Sequence, residues 1–227
     1  MEKLPEMTPW RQKMSRAAYD KAVAAGDPDP IGFVAQMMAE SRMNPNARSP
    51  VGAMGLGQFM PGTAKRFGLK NPGDPLASMD AALKYRAYIR GYNQKRGVTG
   101  EDYVWAGYNA GEGRSVKARH GFKETRGYVN RINDYRPQLA QALSAPYDPQ
   151  VMAGALPPDG QASPVWMAST VGDSGIVPSS IRATTTKLTT PSEPQGLGSP
   201  TEAIQQAFAQ YMQKMLGGAY DLFGAES

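Results

Sequence analysis

The 227-residue chain contains no cysteine and a single histidine, His120. Without thiols there is no disulfide framework and no Cys-ligated metal site, and one imidazole cannot build a multi-histidine zinc centre. Any Ser-His-Asp arrangement would have to pass through His120, so the chemistry is expected to fall to carboxylates, hydroxyls and amides. No apolar run approaches the roughly 20 residues that span a bilayer, which predicts no transmembrane segment. The N-terminal MEKLPEMTPW lacks the apolar stretch of a secretory leader. These absences predict a chain made in a cytoplasm, with export by some other route. At 41% hydrophobic and 20% charged residues, the composition is that of a globular protein.

The net charge of +5 conceals an asymmetry. Residues 1–140 hold 22 Lys/Arg against 13 Asp/Glu, whereas residues 141–227 hold 3 against 7. A basic first part suits a polyanionic partner such as nucleic acid, anionic lipid or a carboxylate-bearing cell wall, or simply a well-solvated surface. No nucleic-acid site is identified in it.

Half of the residues between Ala145 and Pro200 are Pro, Gly, Ser or Thr, and few are charged. Such a stretch cannot assemble its own core and reads as an extended linker over 146–198. After it, Ser199-Pro200-Thr201-Glu202 has the form of a capped helix start. Ile204, Phe208, Tyr211, Met212 and Met215 then recur at three-to-four spacing before Gly217-Gly218. This predicts an amphipathic helix over 199–218 with a short tail to 227. Two roles are open to it: packing back on its own domain, or docking on a partner protein.

Residues 1–145 read as one helical domain, making the fold class mainly α. Thr8-Pro9 starts a helix through about Ala25, Asp27-Pro28-Asp29-Pro30 breaks the chain, and Asp29 caps a second helix running IGFVAQMMAESR. Further helices are expected near 61–67, 78–92, 101–109, 124–133 and 134–143, joined by Gly- and Pro-rich loops. On the second helix Phe33, Met37 and Glu40 share one face, which puts Glu40 on an apolar stripe. A carboxyl group drawn out of water has its charged form disfavoured, so it can hold a proton at neutral pH and give it to a leaving oxygen. The alternative is that a Glu in the last turn of a helix simply reaches solvent.

The residues after Glu40 bear on that choice. The stretch ESRMNPNARSPVGAMGLGQFMPGTA, from Glu40 to Ala64, resembles the core motif of soluble lytic transglycosylases, relatives of goose-type lysozyme. Ala106-Gly107-Tyr108-Asn109-Ala110-Gly111 and Glu124-Thr125-Arg126-Gly127-Tyr128-Val129 are similar to two further blocks of that family, in the family's order. Asp74-Pro75 with Ala82 and Tyr85 is similar to a helix between them. The resemblance covers roughly Pro30 to Ile132 and does not reach the tail. It departs from the family at Gly57, where Met is common, and at Ser78-Met79, where Asn-Ile is common. Gly57 is expected to remove a side chain from the cleft floor, widening it or loosening the loop. The loop glycines are no nucleotide fingerprint, since no strand precedes them and no Gly-Lys-Ser/Thr follows.

The resemblance implies a lysozyme-like helical domain that acts on the glycan strands of peptidoglycan with one carboxyl group and requires no metal and no cofactor. Most glycosidases use two. Here Asp80, Glu101, Asp102 and Glu112 are candidates for a second, each in a place that suits a solvated role better. By the resemblance, Glu40 protonates the glycosidic oxygen between N-acetylmuramic acid and N-acetylglucosamine, and the substrate's acetamido group supports the charge developing at C1. Glu40 then takes the proton of the C6 hydroxyl as it closes a 1,6-anhydro ring. Ser49, Gln58 and Met60 would line the cleft, the first two bonding the N-acetyl group or sugar hydroxyls. Tyr108 and Asn109 would sit opposite, the Tyr108 hydroxyl near Glu40 or the reacting sugar. Ser41 would hold the end of its own helix, Glu124 would meet the peptide stem or brace a helix, and Tyr128 would be core or cleft. Tyr85 and Trp105 are expected in the core, Trp10 in core or wall.

Competing readings are a muramidase that admits water, and a structural module of a virion or secretion machine that keeps the fold for wall attachment. The absent leader, the linker and the terminal helix together suggest a protein packaged in a bacteriophage virion and delivered to the envelope, tethered to other virion or envelope-machine proteins.

Overall fold

The computed structural model describes residues 1–145 and 155–157. Apart from residues 155–157, the expected linker lies outside the described residues, as does the amphipathic segment 199–218. The described part is helical: α1 (Pro9–Ala24), α2 (Pro30–Ser41), α3 (Pro61–Arg66), α4 (Pro75–Gln94), α5 (Glu101–Ala110), α6 (Ser115–Gly121) and α7 (Lys123–Ser144), with one 3-10 turn at Glu112–Arg114. Extended pairing among the described residues is limited to two isolated bridges, Arg48 with Met54 and Met54 with Phe59. No helix among them is long and apolar enough to cross a membrane.

The helix starts share one local chemistry. Thr8 accepts a hydrogen bond from the Arg11 amide, Asp29 from Gly32 and Asp74 from Leu76 and Ala77, each with proline at the next position. Proline there gives up an N–H that would have no helical partner, while the cap satisfies one that would be orphaned. The Asp74-Pro75 pair therefore starts α4 three residues ahead of the expected 78. The expected break near 133 is absent, and α7 continues through Pro137. An internal proline costs about 3 kcal/mol. Beyond it, Leu139, Ala140 and Leu143 are buried in line with Tyr128, Val129, Ile132 and Tyr135. Burying two leucines is worth roughly 3–6 kcal/mol, enough to carry the helix on. α6 was not expected from the pattern, because Val116 on it is exposed and it has no side-chain cap. Its place comes from packing against α5, where Gly107 lies close to Ser115.

α2 packs between α1 and α7, and α5 against α4, α6 and α7. Phe33, Val34, Met37, Met38, Ile89, Trp105, Val129 and Ile132 form the centre of this core. Trp10 is buried as well, and its indole N–H donates to the Met43 carbonyl at 2.7 Å. Arg11 donates to the Arg42 carbonyl at 3.2 Å. Arg42 and Met43 are left-handed, with φ of 54° and 62°. These two contacts from α1 hold the turn through which the chain leaves α2.

Gly32 marks the tightest approach in the core. A β-carbon there would lie 2.0 Å from the capping Asp29 oxygen and 2.9 Å from the Trp105 ring. Gly32→Ala must displace both, losing the cap and overpacking the core. It should lower stability by about 2 kcal/mol or more, a fall of roughly 4–8 °C in Tm for a protein of this size. A thermal unfolding scan with unchanged Tm would show that the two side chains give way without loss.

Candidate active site

Glu40 occupies the last turn of α2, one turn beyond Gln36 and next to Ser41, whose hydroxyl donates to the Met37 carbonyl at 3.4 Å. Ser41 thus finishes its own helix. Phe33 and Met37 are fully buried, and Glu40, half-buried, ends their stripe at the floor of a cleft of about 410 Å³. The Tyr128 hydroxyl of α7 donates to Glu40 Oε1 at 2.5 Å. Burial pushes the Glu40 carboxyl up from 4.5 to about 7, against the opposing pull of the Tyr128 hydrogen bond and the Arg131 guanidinium. The Tyr128 phenol is itself raised well above its ordinary value, by burial first and the neighbouring Glu40 charge second, so it remains a donor.

The loop from Asn44 to Met60 forms one wall. Ser49 N–H donates to the Ala53 carbonyl, Gly55 N–H to Ala47 and Phe59 N–H to Met54, each at 2.9 Å. Gly55 needs its hydrogen: at φ +77° a β-carbon would lie 2.0 Å from the Pro72 carbonyl oxygen. Gln58, at φ +47°, uses its amide nitrogen to tie the loop, donating to Gly55 O at 2.9 Å and Ala47 O at 3.2 Å. Ser49 Oγ accepts from the Ala53 amide at 2.9 Å. Both side chains therefore brace the loop while lining the cleft, which leaves the Gln58 carbonyl oxygen and the Ser49 hydroxyl hydrogen for a ligand.

Ser49, Gln58, Met60, Tyr108, Asn109 and Glu124 all line the same cleft as Glu40. Met60 is exposed at its edge and Glu124 is exposed at the rim. Asn109 Oδ1 accepts from the buried Thr125 hydroxyl at 2.8 Å, which fixes the carboxamide. The Tyr108 hydroxyl donates to the Gly57 carbonyl at 2.9 Å, so its hydrogen is aimed at the loop. The expectation of a widened floor at Gly57 is corrected. A β-carbon there would meet the Phe59 ring at 2.8 Å and the Tyr108 oxygen at 3.0 Å, so the missing side chain is replaced by these two rings, packed edge to face. Tyr85, expected in the core, is buried yet also lines the cleft, its ring tilted 41° against Tyr108 with centroids 4.9 Å apart. Trp10 and Trp105 are core.

The other candidate carboxylates are occupied elsewhere. Asp80 pairs with Lys21, Glu101 with Arg86 and Arg90, Asp102 with Arg119, and Glu112 with Arg66. None of the four lines the Glu40 cleft. Among the described residues, no cluster of three His, Cys, Asp or Glu is placed to hold a metal ion. Beyond Asn109 and Glu124 the surface continues into a second hollow bordered by Arg114, Phe122 and Lys123. The buried polar cluster in which Arg86 donates to Asp27, Gln36 and Glu101 gave no sign in the hydrophobic pattern.

Residues 18–129 match the family described as the transglycosylase SLT domain. The chain carries an SLT domain. It is similar to the soluble lytic murein transglycosylase of Escherichia coli K12, 37% identical over 124 residues, an alignment covering 42% of this chain and 18% of that protein. It is also similar to the membrane-bound lytic murein transglycosylase F of Shewanella halifaxensis, 37% identical over 98 residues, 42% of this chain and 20% of the relative. The chain thus spans about a fifth of the length of the curated relatives it matches. Of solved structures, the 70 kDa soluble lytic transglycosylase from Escherichia coli aligns with 56% of this chain and 24% of its own, at 26% identity and a TM-score of 0.48. Within the SLT domain lie Glu40, both cleft walls and Tyr128.

The Glu40 carboxyl also makes stability depend on pH. Its folded pKa lies above its ordinary value, so the folded state holds the proton more tightly. Its stabilising contribution is complete below 4.5 and is lost as pH rises through about 7. Glu40→Gln removes the buried charge. The variant should therefore be more stable than the parent at pH 8, with the difference shrinking as pH falls from 7 toward 4.5. Parallel thermal melts across that range test this, and a pH-independent difference would mean that Glu40 is not held out of water.

Proposed function

We propose that the SLT domain is a peptidoglycan lytic transglycosylase that cuts the β-1,4 bond between N-acetylmuramic acid and N-acetylglucosamine, leaving a 1,6-anhydro end. The observation that carries this reading is one half-buried carboxyl group, poised near neutrality, in a cleft whose only other described carboxylate is the rim residue Glu124. A group with pKa about 7 is divided between acid and base at neutral pH, which is what one residue needs to serve in both steps. As an acid, Glu40 protonates the glycosidic oxygen. With no second carboxylate opposite among the described residues, the 2-acetamido oxygen of the substrate supports the positive charge at C1. As a base, Glu40 accepts the C6 hydroxyl proton while that oxygen closes on C1, so the proton count returns to its start and no water is consumed.

Ser49, Gln58 and Asn109 hold the sugar's polar groups. Met60, with the rings of Phe59, Tyr85 and Tyr108, supplies apolar wall. Glu124 meets the peptide stem at the rim, and Tyr128 holds Glu40. The excess of basic residues in the first 140 draws the domain to the anionic wall. We further propose that the protein travels in a bacteriophage virion and opens the wall locally during infection. The Pro/Gly/Ser/Thr-rich stretch and the apolar periodicity of 199–218 support this, being suited to tether the enzyme to other virion proteins.

Mass spectrometry of purified peptidoglycan digested by the full protein should give muropeptides with 1,6-anhydro ends, lighter by one water than hydrolysed ones. Glu40→Gln should reduce their formation by about 10²–10⁴-fold. Reducing ends in place of anhydro ends would make the enzyme a muramidase, and comparable turnover by the variant would remove Glu40 from the mechanism. Purified particles should contain the protein, and loss of residues 199–227 should lower its incorporation. Its absence from particles would sink the virion reading alone.

A further inference from the structure

Asn109, in the last turn of α5, stands where the Glu40 cleft meets the second hollow, a space of about 360 Å³, and it lines both. The residue is exposed, but its carboxamide is held from behind by a buried group. The hydroxyl of Thr125, in the first turn of α7, donates to Asn109 Oδ1 at 2.8 Å. Among the described residues this is the only hydrogen bond of either side chain. A hydroxyl has one hydrogen to give, and a buried hydrogen left unused is costly, so Thr125 selects the carboxamide oxygen and turns the Asn109 NH₂ group away from itself. That NH₂ group is a donor fixed in place with nothing in the domain to receive it. The charge around it favours an electron-rich acceptor. Arg114 and Lys123 border the hollow, both exposed and neither ion-paired among the described residues, whereas Glu124 is the one carboxylate beside them.

We propose that Thr125 is a positioning residue that makes Asn109 a dedicated donor to a carbonyl or carboxylate oxygen of the glycan, at the junction of the cleft and the second hollow. The proposal rests on the cleft binding peptidoglycan strands. Two substituents of the strand offer such an oxygen: the 2-acetamido group, carried by every sugar, and the 3-O-lactyl group, carried by N-acetylmuramic acid alone. With its own oxygen engaged, Asn109 cannot accept from a sugar hydroxyl or an amide N–H. Gln58 has the reverse polarity. Its nitrogen is spent on the Gly55 and Ala47 carbonyls, which leaves an acceptor toward the cleft. One amide that only accepts and one that only donates favour a single placement of the strand, because any other sets like groups against each other. The proposal also accounts for a hydroxyl at the head of the buried face of α7, which continues through Tyr128, Val129 and Ile132. That face carries two polar groups to the site: the Thr125 hydroxyl to Asn109 and the Tyr128 hydroxyl to Glu40.

The test is calorimetric binding to the full chain carrying E40Q, with two tetrasaccharides as probes. One is two repeats of N-acetylglucosaminyl-N-acetylmuramic acid; the other is chitotetraose, which has the acetamido groups but no lactyl group. Thr125→Val keeps shape and burial but removes the hydroxyl, so the Asn109 carboxamide is free to turn. It should weaken binding of the lactyl-bearing probe about tenfold. Thr125→Ser keeps the hydroxyl and should bind within about twofold of E40Q alone. Adding T125V to Asn109→Ala should cost nothing further, because the group that Thr125 aims is gone. A loss confined to the lactyl-bearing probe supports the proposal and assigns the oxygen to the lactyl group, and an equal loss with both probes supports it and assigns the oxygen to the acetamido group. Unchanged binding of both probes by a folded T125V protein overturns the proposal, as does a loss in T125S equal to that in T125V, or an equal further loss in the N109A background. If T125V does not fold, Asn109→Asp decides: Thr125 still holds one oxygen while an acceptor replaces the donor, so binding should fall further than in N109A, and equal losses overturn the proposal. These losses without any cleavage of peptidoglycan by the parent protein would support the positioning role while overturning the proposed reaction, and no binding of either probe would overturn both.

Discussion

A carboxyl group held at the edge of an apolar core is costly, and the domain is organised around keeping Glu40 there. α2 must be pinned at both ends to present it. At the start, the Asp29 cap folds over Gly32 against Trp105. At the exit, Trp10 and Arg11 hold the left-handed turn at Arg42 and Met43. Were either end to relax, Glu40 would rotate toward water and its pKa would fall toward the ordinary value. α7 completes the constraint from the other side by bringing Tyr128 against Oε1. The burial that lifts the carboxyl and the hydrogen bond that lowers it act on the same few ångströms, and their difference leaves the group near 7.

The Arg86 cluster is the second structural commitment. Burial alone would push Asp27 up, but the Arg86 and Arg90 guanidinium groups and the Asp29 amide hold it below its usual range. Through Asp27, Gln36 and Glu101, the cluster ties the turn between α1 and α2, the middle of α2 and the first turn of α5 to α4. Breaking such a pair from one side leaves an uncompensated buried charge, typically a loss of 3–5 kcal/mol. The cluster therefore acts as a rigid backing for the helix that carries the site. The loop wall is rigid for a different reason: Gln58 ties it internally, and Gly57 admits the Phe59 and Tyr108 rings where a larger residue would stand.

Much of the helical plan was legible in local chemistry. Thr8-Pro9 and Asp29-Pro30 announce α1 and α2, and the apolar spacing of Phe33 and Met37 leads directly to Glu40. Asp74-Pro75 carried the same signal for α4, although its apolar pattern becomes clear only after Ser78. α6 was hidden because it is short and not amphipathic, and the continuity of α7 was hidden because a proline reads as a break unless the burial beyond it is counted. Tyr85 shows the limit at the site. A tyrosine at a core period is expected inside, and whether its ring also lines a cleft depends on what stands opposite it.

The sequence by itself determined the type of chemistry. Absent cysteine and a lone histidine leave carboxylates, hydroxyls and amides, and the resemblance carried by Glu40 to Ala64 implies that Glu40 is the one that acts, because these features follow from residue type and spacing along short stretches of chain. Tertiary structure alone decided which groups act on that carboxyl. Tyr128 lies 88 positions from Glu40, and Arg86 lies 50 from Gln36. No local periodicity links such pairs. Hydrogen bonding and desolvation depend on distances of a few ångströms, and only the packing of α2 between α1 and α7, with Arg86 reaching it from α4, sets them.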